Sequence, residues 1–143
     1  MNVQSILGSK GSDVATISQT ASLQDAVSAL AQRRIGALVV SGDSRTIEGI
    51  LSERDIVRAA AAGGGALGAS VGSAMSTDVV TCSIGDGVDR LMSLMTERRI
   101  RHLPVADDSG HLVGIVSIGD VVKARLTELE HENEALSHYI SGH

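Results

Sequence analysis

The sequence predicts an α+β fold made of two homologous halves packed face to face, with a long helix at its C-terminal end. Three observations predict it. The chain repeats itself 65 positions on: Gly49-Ile50-Leu51-Ser52-Glu53-Arg54-Asp55 returns as Gly114-Ile115-Val116-Ser117-Ile118-Gly119-Asp120. The offset holds with almost no gap from Asp13 to Val57. Arg33-Arg34-Ile35 matches Arg98-Arg99-Ile100, Leu38 and Val40 match Leu103 and Val105, and Thr16 and Ser18 match Thr81 and Ser83. Within each half, apolar runs of strand length alternate with segments of helical period. Tandem homologous units pack on one another, so clefts between them come in related pairs. Function is therefore expected in two similar clefts.

The elements follow in order. Met1 to Lys10 reads as a lead-in helix with Val3, Ile6 and Leu7 on one face. Val14 to Ile17 is a short extended segment that opens the first repeat, residues 13–62. Ser22 starts a helix whose Leu23, Ala26, Val27 and Leu30 share a face. Strands are expected over Ile35 to Val40 and Ile47 to Leu51, joined by the turn residues Ser41-Gly42-Asp43-Ser44. A helix from Glu53 to Ala62 follows, stopped by Gly63-Gly64-Gly65 in a connector of residues 63–77. Ser70 to Met75 should form a short helix paralleling the lead-in. The second repeat, residues 78–125, runs in the same order: a helix around Val88 to Met95, strands near Leu103 and over Leu112 to Val116, and a final helix from Ile118 to Tyr139.

The final helix outruns its counterpart, and residues 126–143 form an extension. Val122, Leu126, Leu129, Asn133, Leu136 and Ile140 recur at spacings of 4 and 3, a heptad seam with one polar core position. Two readings stand: a seam between two chains, or a stripe folded back on its own domain. Glu128, Glu130, Glu132 and Glu134 read as a solvated face.

At 143 residues the chain is one domain's worth, and each half alone would be marginal, so the halves are expected to share one core. That core must be aliphatic, since there is no Phe, no Trp and one Tyr. A planar ligand would be gripped by Ile, Val, Ala and Leu. A formal charge of −5 argues against nucleic acid as a partner. Yet Arg33, Arg34, Arg98, Arg99 and Arg101, with Arg54 beside one motif, allow a local anion site. The arginines that end helices, at 33, 34, 98 and 99, have complementing the helix dipole as an equally good role. The lone Cys82 suits a reducing compartment and reads as a half-buried strand residue. No secretory signal or bilayer-length apolar run is evident, so a cytoplasmic protein without a membrane partner is expected. His111, His131, His138 and His143 have no metal-ligand spacing, and no metal site is expected.

The repeated motif carries the chemistry. A strand ends in Gly-apolar-apolar-Ser, a helix begins, and Asp follows three residues after the Ser. One copy alone is an ordinary capping box. Two copies at one offset, each following a Gly that permits close backbone approach, argue for more. Backbone N–H groups at the helix start seat phosphate. A carboxylate one turn on can accept the two hydroxyls of a ribose. Ser52 and Ser117 for phosphate, Asp55 and Asp120 for ribose, and aliphatic residues for a base together describe a nucleotide.

These residues resemble the cystathionine-β-synthase (CBS) domain pair, or Bateman module. The resemblance covers about Asp13 to Lys123, and the Gly-x-x-Ser-x-x-Asp endings are its most specific mark. Ile100-Arg101-His102-Leu103-Pro104-Val105 matches the family's second strand, and Ile35 to Val40 matches it with Val39 in place of the common Pro. The resemblance implies a β-α-β-β-α fold in each half about a pseudo-two-fold axis, and adenosine-containing ligands: AMP, ADP, ATP, S-adenosylmethionine or NAD(H). It implies one cleft joining Ser117 and Asp120 to Ala15, Thr16, Ile35, Gly36 and Ala37. The other joins Ser52 and Asp55 to Val80, Thr81, Ile100, Arg101 and His102. The small Gly36 and Ala37 rank the Asp120 cleft first for adenine, with Arg54, Arg101 and Lys10 facing phosphate. His102 has a locally hydrogen-bonded strand residue as its other reading.

The expected function is a non-catalytic sensor or regulator. It binds an adenine nucleotide such as AMP, ADP, ATP or NADH, requires no cofactor, acts on an unidentified protein and associates as a homodimer, as the family commonly does. No catalytic residue set and no Walker or dinucleotide fingerprint appears. The alternatives are a structural dimerisation module with vestigial clefts and an S-adenosylmethionine-binding regulator.

Overall fold

The computed structural model describes residues 1–141, so His143 and the last two residues of the C-terminal extension lie outside it. Helix α1 spans Val3–Lys10, capped by the Asn2 side chain, which accepts from the Ser5 amide. The first half follows with strand β1 (Thr16–Ile17), helix α2 (Leu23–Arg33), strands β2 (Ala37–Val40) and β3 (Gly49–Ser52), and helix α3 (Glu53–Ala61). A 3-10 turn at Ala66–Gly68 and the short helix α4 (Val71–Ala74) form the connector. The second half contains helix α5 (Val88–Arg98), strands β4 (His102–Ala106) and β5 (Leu112–Ser117), and helix α6 (Ile118–Ile140).

In the first sheet β2 pairs parallel to β1 and antiparallel to β3, with Ala37 opposite Ser52. In the second, β4 pairs antiparallel to β5, with His102 opposite Ser117. The counterpart of β1 shrinks there to a single parallel bridge between Cys82 and Val105. The cause is one residue. In the first half the Val39 amide donates to the Ala15 carbonyl at 3.2 Å. Its counterpart is Pro104, which has no N–H to give, so the carbonyl of Val80 goes without that partner.

The expectation of one shared core is corrected. There are two clusters, one per half, and each is completed by the segment that precedes the other half. Val3 and Ile6 of α1 join Leu91, Met95, Leu103, Val105, Val116 and Val121 of the second half. Val71 of α4 joins Leu23, Leu30, Leu38, Val40, Leu51 and Ile56 of the first. The lead-in segments have changed places. Each lies over the motif glycine of the half it serves. A Cβ on Gly49 would stand 2.8 Å from Met75 Sδ and 2.9 Å from the Ser76 carbonyl oxygen, and one on Gly114 would stand 2.8 Å from Leu7 Cδ1. Ser76 and Ile50 exchange backbone hydrogen bonds of 2.9 and 3.0 Å, which fixes that crossing. The motif glycines thus make room for a crossing chain, a close approach of a different kind from the ligand contact the sequence suggested.

Three capping boxes set the helix starts: Ser22 with Asp25, Ser52 with Asp55, and Ser117 with Asp120. Arg34 and Arg99 end α2 and α5 in left-handed backbone conformation, at φ 55° and 54°. Glu130, Glu132 and Glu134 are exposed on the acidic face of α6, and Glu128 alone departs from it. Glu128 accepts from the Met1 amino group at 2.8 Å and lies 3.4 Å from Arg125, which also reaches Glu132 at 4.0 Å.

Gly49→Ala is expected to destabilise the protein by about 1–3 kcal/mol, because one clash is with backbone that cannot swing away. Gly114→Ala should cost less, since the Leu7 side chain can rotate. Urea denaturation of both variants measures this; equal losses would mean that the two crossings are equally rigid.

Candidate functional site

Both motif carboxylates are held by the start of their own helix. Asp55 Oδ2 accepts from the Ser52 amide at 2.9 Å and the Ser52 hydroxyl at 3.0 Å, while Oδ1 has Arg58 at 3.9 Å. Asp120 Oδ2 accepts from the Ser117 amide at 2.8 Å and from Lys10 Nζ at 2.7 Å. Lys10 also donates to the Ile115 carbonyl at 3.0 Å. Burial pushes the Asp120 carboxyl up, but the Lys10 ammonium and the Ser117 bonds together hold it below the ordinary aspartate value.

Around Asp55 the structure opens a cavity of about 330 Å³. Ser52, Arg54, Asp55, Val80, Ile100, Arg101 and His102, all expected from the sequence, line it together with Gly36, which was assigned to the other cleft. Thr81 is exposed and outside this lining, and Ala37 is buried in β2. Ala15 and Ile35 pack against the first core, and the Thr16 hydroxyl lies 3.2 Å from that of Ser44. Of the Asp120 set, Lys10, Ser117 and Asp120 are brought together.

Sequence reasoning passed over Glu53, Arg58, Asp78 and Val79 and set Arg98 and Arg99 aside for the helix dipole, and all six also line the cavity. Arg98 and Arg99 sit at the end of α5, as the dipole role requires, and yet face the cleft. Arg58 carried a signal: three residues after Asp55, it shares that helix face. Five arginines, at 54, 58, 98, 99 and 101, thus surround three carboxylates, at 53, 55 and 78. Arg54 donates to the Arg99 carbonyl at 3.2 Å, which ties α3 of one half to the end of α5 in the other. Ile50, Val79, Val80 and Ile100 supply apolar wall.

His102 stands where the halves meet. A Cβ on Gly36 would lie 3.1 Å from its Cε1 and 3.3 Å from its Nε2. Half-buried, its ring is held below the ordinary histidine value, mainly by desolvation. Glu53 and Asp120 pull the value up, and Lys10 and Arg101 push it down.

The CBS domain model matches residues 9–62 and 71–127, one copy on each half. The chain belongs to the CBS domain family. The CBS domain-containing protein CBSX3, mitochondrial, of Arabidopsis thaliana is 41% identical over 123 residues, which are 82% of this chain and 59% of that protein. The chain therefore spans little more than half of this curated relative. The CBS-domain protein ATU1752 of Agrobacterium tumefaciens superposes with a TM-score of 0.83 at 44% identity, over 87% of this chain and 99% of that one. The CBS domain pair of MJ0100, crystallised with 5′-methylthioadenosine and S-adenosyl-L-methionine, superposes with a TM-score of 0.77 at 25% identity, over 87% and 98%. The two CBS repeats carry the motif serines and aspartates at equivalent junctions, and no described helix is long and apolar enough to cross a membrane.

The His102 environment has a consequence for pH. Its folded pKa lies below the ordinary 6.5, so the folded state keeps the ring neutral while the unfolded chain takes up the proton more readily. The stability that follows is present above about pH 6.5 and is lost as pH falls from there toward the folded value. His102→Gln is expected to show a smaller drop in Tm than the parent between about pH 7.5 and about pH 5.5. Parallel curves for the two proteins would refute the assignment.

Proposed function

We propose that this CBS pair is a non-catalytic regulator that binds an adenine nucleotide in the Asp55 cavity. The observation that carries the reading is the set of five arginines around one capped, partly unspent aspartate. Asp55, fixed by Ser52 through Oδ2, offers Oδ1 to the ribose hydroxyls. Ile50, Val79, Val80 and Ile100 hold the base, and the Val80 carbonyl is an acceptor for its amino group. Arg54, Arg58, Arg98, Arg99 and Arg101 face the phosphates, as planar guanidinium groups suit. A volume of about 330 Å³ lies in the range of small-molecule sites.

The MJ0100 complexes support the adenosine part of the ligand. The arginines favour its anionic members, AMP, ADP, ATP and NADH, over the sulfonium cation S-adenosylmethionine. In the Asp120 cleft Lys10 bonds Oδ2, the oxygen that also accepts from the Ser117 amide, and so sets an ammonium on the same carboxylate whose Oδ1 a ribose would meet. Ser117 and Asp120 would form a second cleft with the facing half only when Lys10 leaves. On this reading the Asp55 cavity ranks first, the opposite of the order drawn from Gly36 and Ala37. The bound nucleotide governs contacts with a regulated protein in the cytoplasm and is not turned over.

Asp55→Ala is expected to weaken AMP binding by roughly 10- to 100-fold, the loss of a charged acceptor worth about 1.5–3 kcal/mol. Asp120→Ala should have a smaller effect. Calorimetry, with the recovered ligand checked by mass spectrometry for chemical change, tests both statements; undiminished affinity in Asp55→Ala sinks the reading.

Lys10→Met should raise the number of AMP molecules bound per chain from one to two, by freeing Asp120. If the count stays at one, Lys10 is no latch.

A further inference from the structure

Helix α6 continues past the domain with one side uncovered. It gives Val121 and Ala124 to the second core. Val122, Leu126, Leu129, Leu136 and Ile140 remain between 43% and 74% exposed. The stripe is therefore not consumed by its own domain, and the folded-back reading is excluded. With Asn133 it keeps heptad spacing over six positions: Val122, Leu129 and Leu136 at d, Leu126, Asn133 and Ile140 at a.

We propose that this stripe is the seam of a parallel, two-stranded coiled coil between two copies of this chain. The flanking charges and the one polar core residue choose both the occupant and the direction. In a parallel pair every core residue meets its own counterpart, so the Asn133 amides can hydrogen-bond to each other, the arrangement that fixes register at an a position. Arg125 at g then faces Glu130 at e of the other chain, and this attraction occurs twice by symmetry. In the antiparallel pair that aligns the same seam, Asn133 meets Leu129 and its amide goes unpaired. Glu130 and Glu132 are then set against their own counterparts, placing like charges together. An unrelated partner helix would not need an asparagine whose natural mate is itself.

Cysteine cross-linking tests the seam in the full chain. The native Cys82 does not interfere, because it is buried and its thiol is pushed up to about 12. Leu136→Cys is expected to form a disulfide-linked dimer on mild oxidation at micromolar concentration, and Leu126→Cys should do the same. Adding Leu129→Asp to Leu136→Cys should cut the linked fraction at least tenfold while the helical circular-dichroism signal is retained. A mixture of Leu126→Cys and Leu136→Cys chains that cross-links where neither does alone would show the antiparallel pair and overturn the proposal. So would a monomer mass by light scattering, or a dimer mass in which Leu136→Cys stays unlinked.

Discussion

A serine hydroxyl that accepts the backbone amide of an aspartate three residues on, while the aspartate accepts the serine amide in return, holds this molecule's chemistry in place. At Ser52–Asp55 and Ser117–Asp120 this reciprocal bond starts a helix and fixes the angle at which it leaves its strand. At Asp55 it also aims the carboxylate into the cavity between the halves. The capping role and the ligand role are one arrangement, since the oxygen that satisfies the helix is not the one a ribose would meet. Ser22–Asp25 forms the same box at the start of α2. The box alone therefore only starts a helix; what sets the two motif copies apart is a strand end that faces the other half.

Around this symmetric pair the chain places unlike residues, and the inequality of the clefts follows. Lys10 ends α1 on Asp120, and Met75, which ends α4, packs its thioether on Gly49. One carboxylate receives an ammonium and the other has the Arg58 guanidinium at 3.9 Å. Pro104 stands where the first half has Val39, which removes the backbone donor that would meet the Val80 carbonyl. Gly36 and Ala37 give way to Arg101 and His102, so charge gathers on one side of the pseudo-two-fold axis.

The repeat made the α+β architecture, the element order and both motif junctions readable from sequence, because a fixed offset reports equivalent backbone positions. It also identified Ser52, Arg54, Asp55, Val80, Ile100, Arg101 and His102, which face one cavity. What the offset could not convey was which half each lead-in segment serves. Val3, Ile6 and Val71 look alike in either place, since apolar periodicity marks a buried face without naming its partner. The proposed order of the clefts turns on the same point. Lys10 precedes the first repeat in sequence and lies on the second in space. Arg98 and Arg99 were obscured for another reason: a cation at a helix end satisfies the dipole whether or not a cleft lies beside it.

The exchange of lead-in segments also sets the order in which the chain can become whole. During synthesis α1 emerges before either half, but the surface that buries Val3 and Ile6 includes Val116 and Val121 of the second half. The first half can close sooner, as soon as Val71 has emerged to complete its core. Until the second half has emerged α1 is thus a tethered segment without a seat, and the Lys10–Asp120 contact cannot form before then. A stall between the halves would release a nascent chain with one finished core and an unpaired helix, the kind of species that chaperones retain.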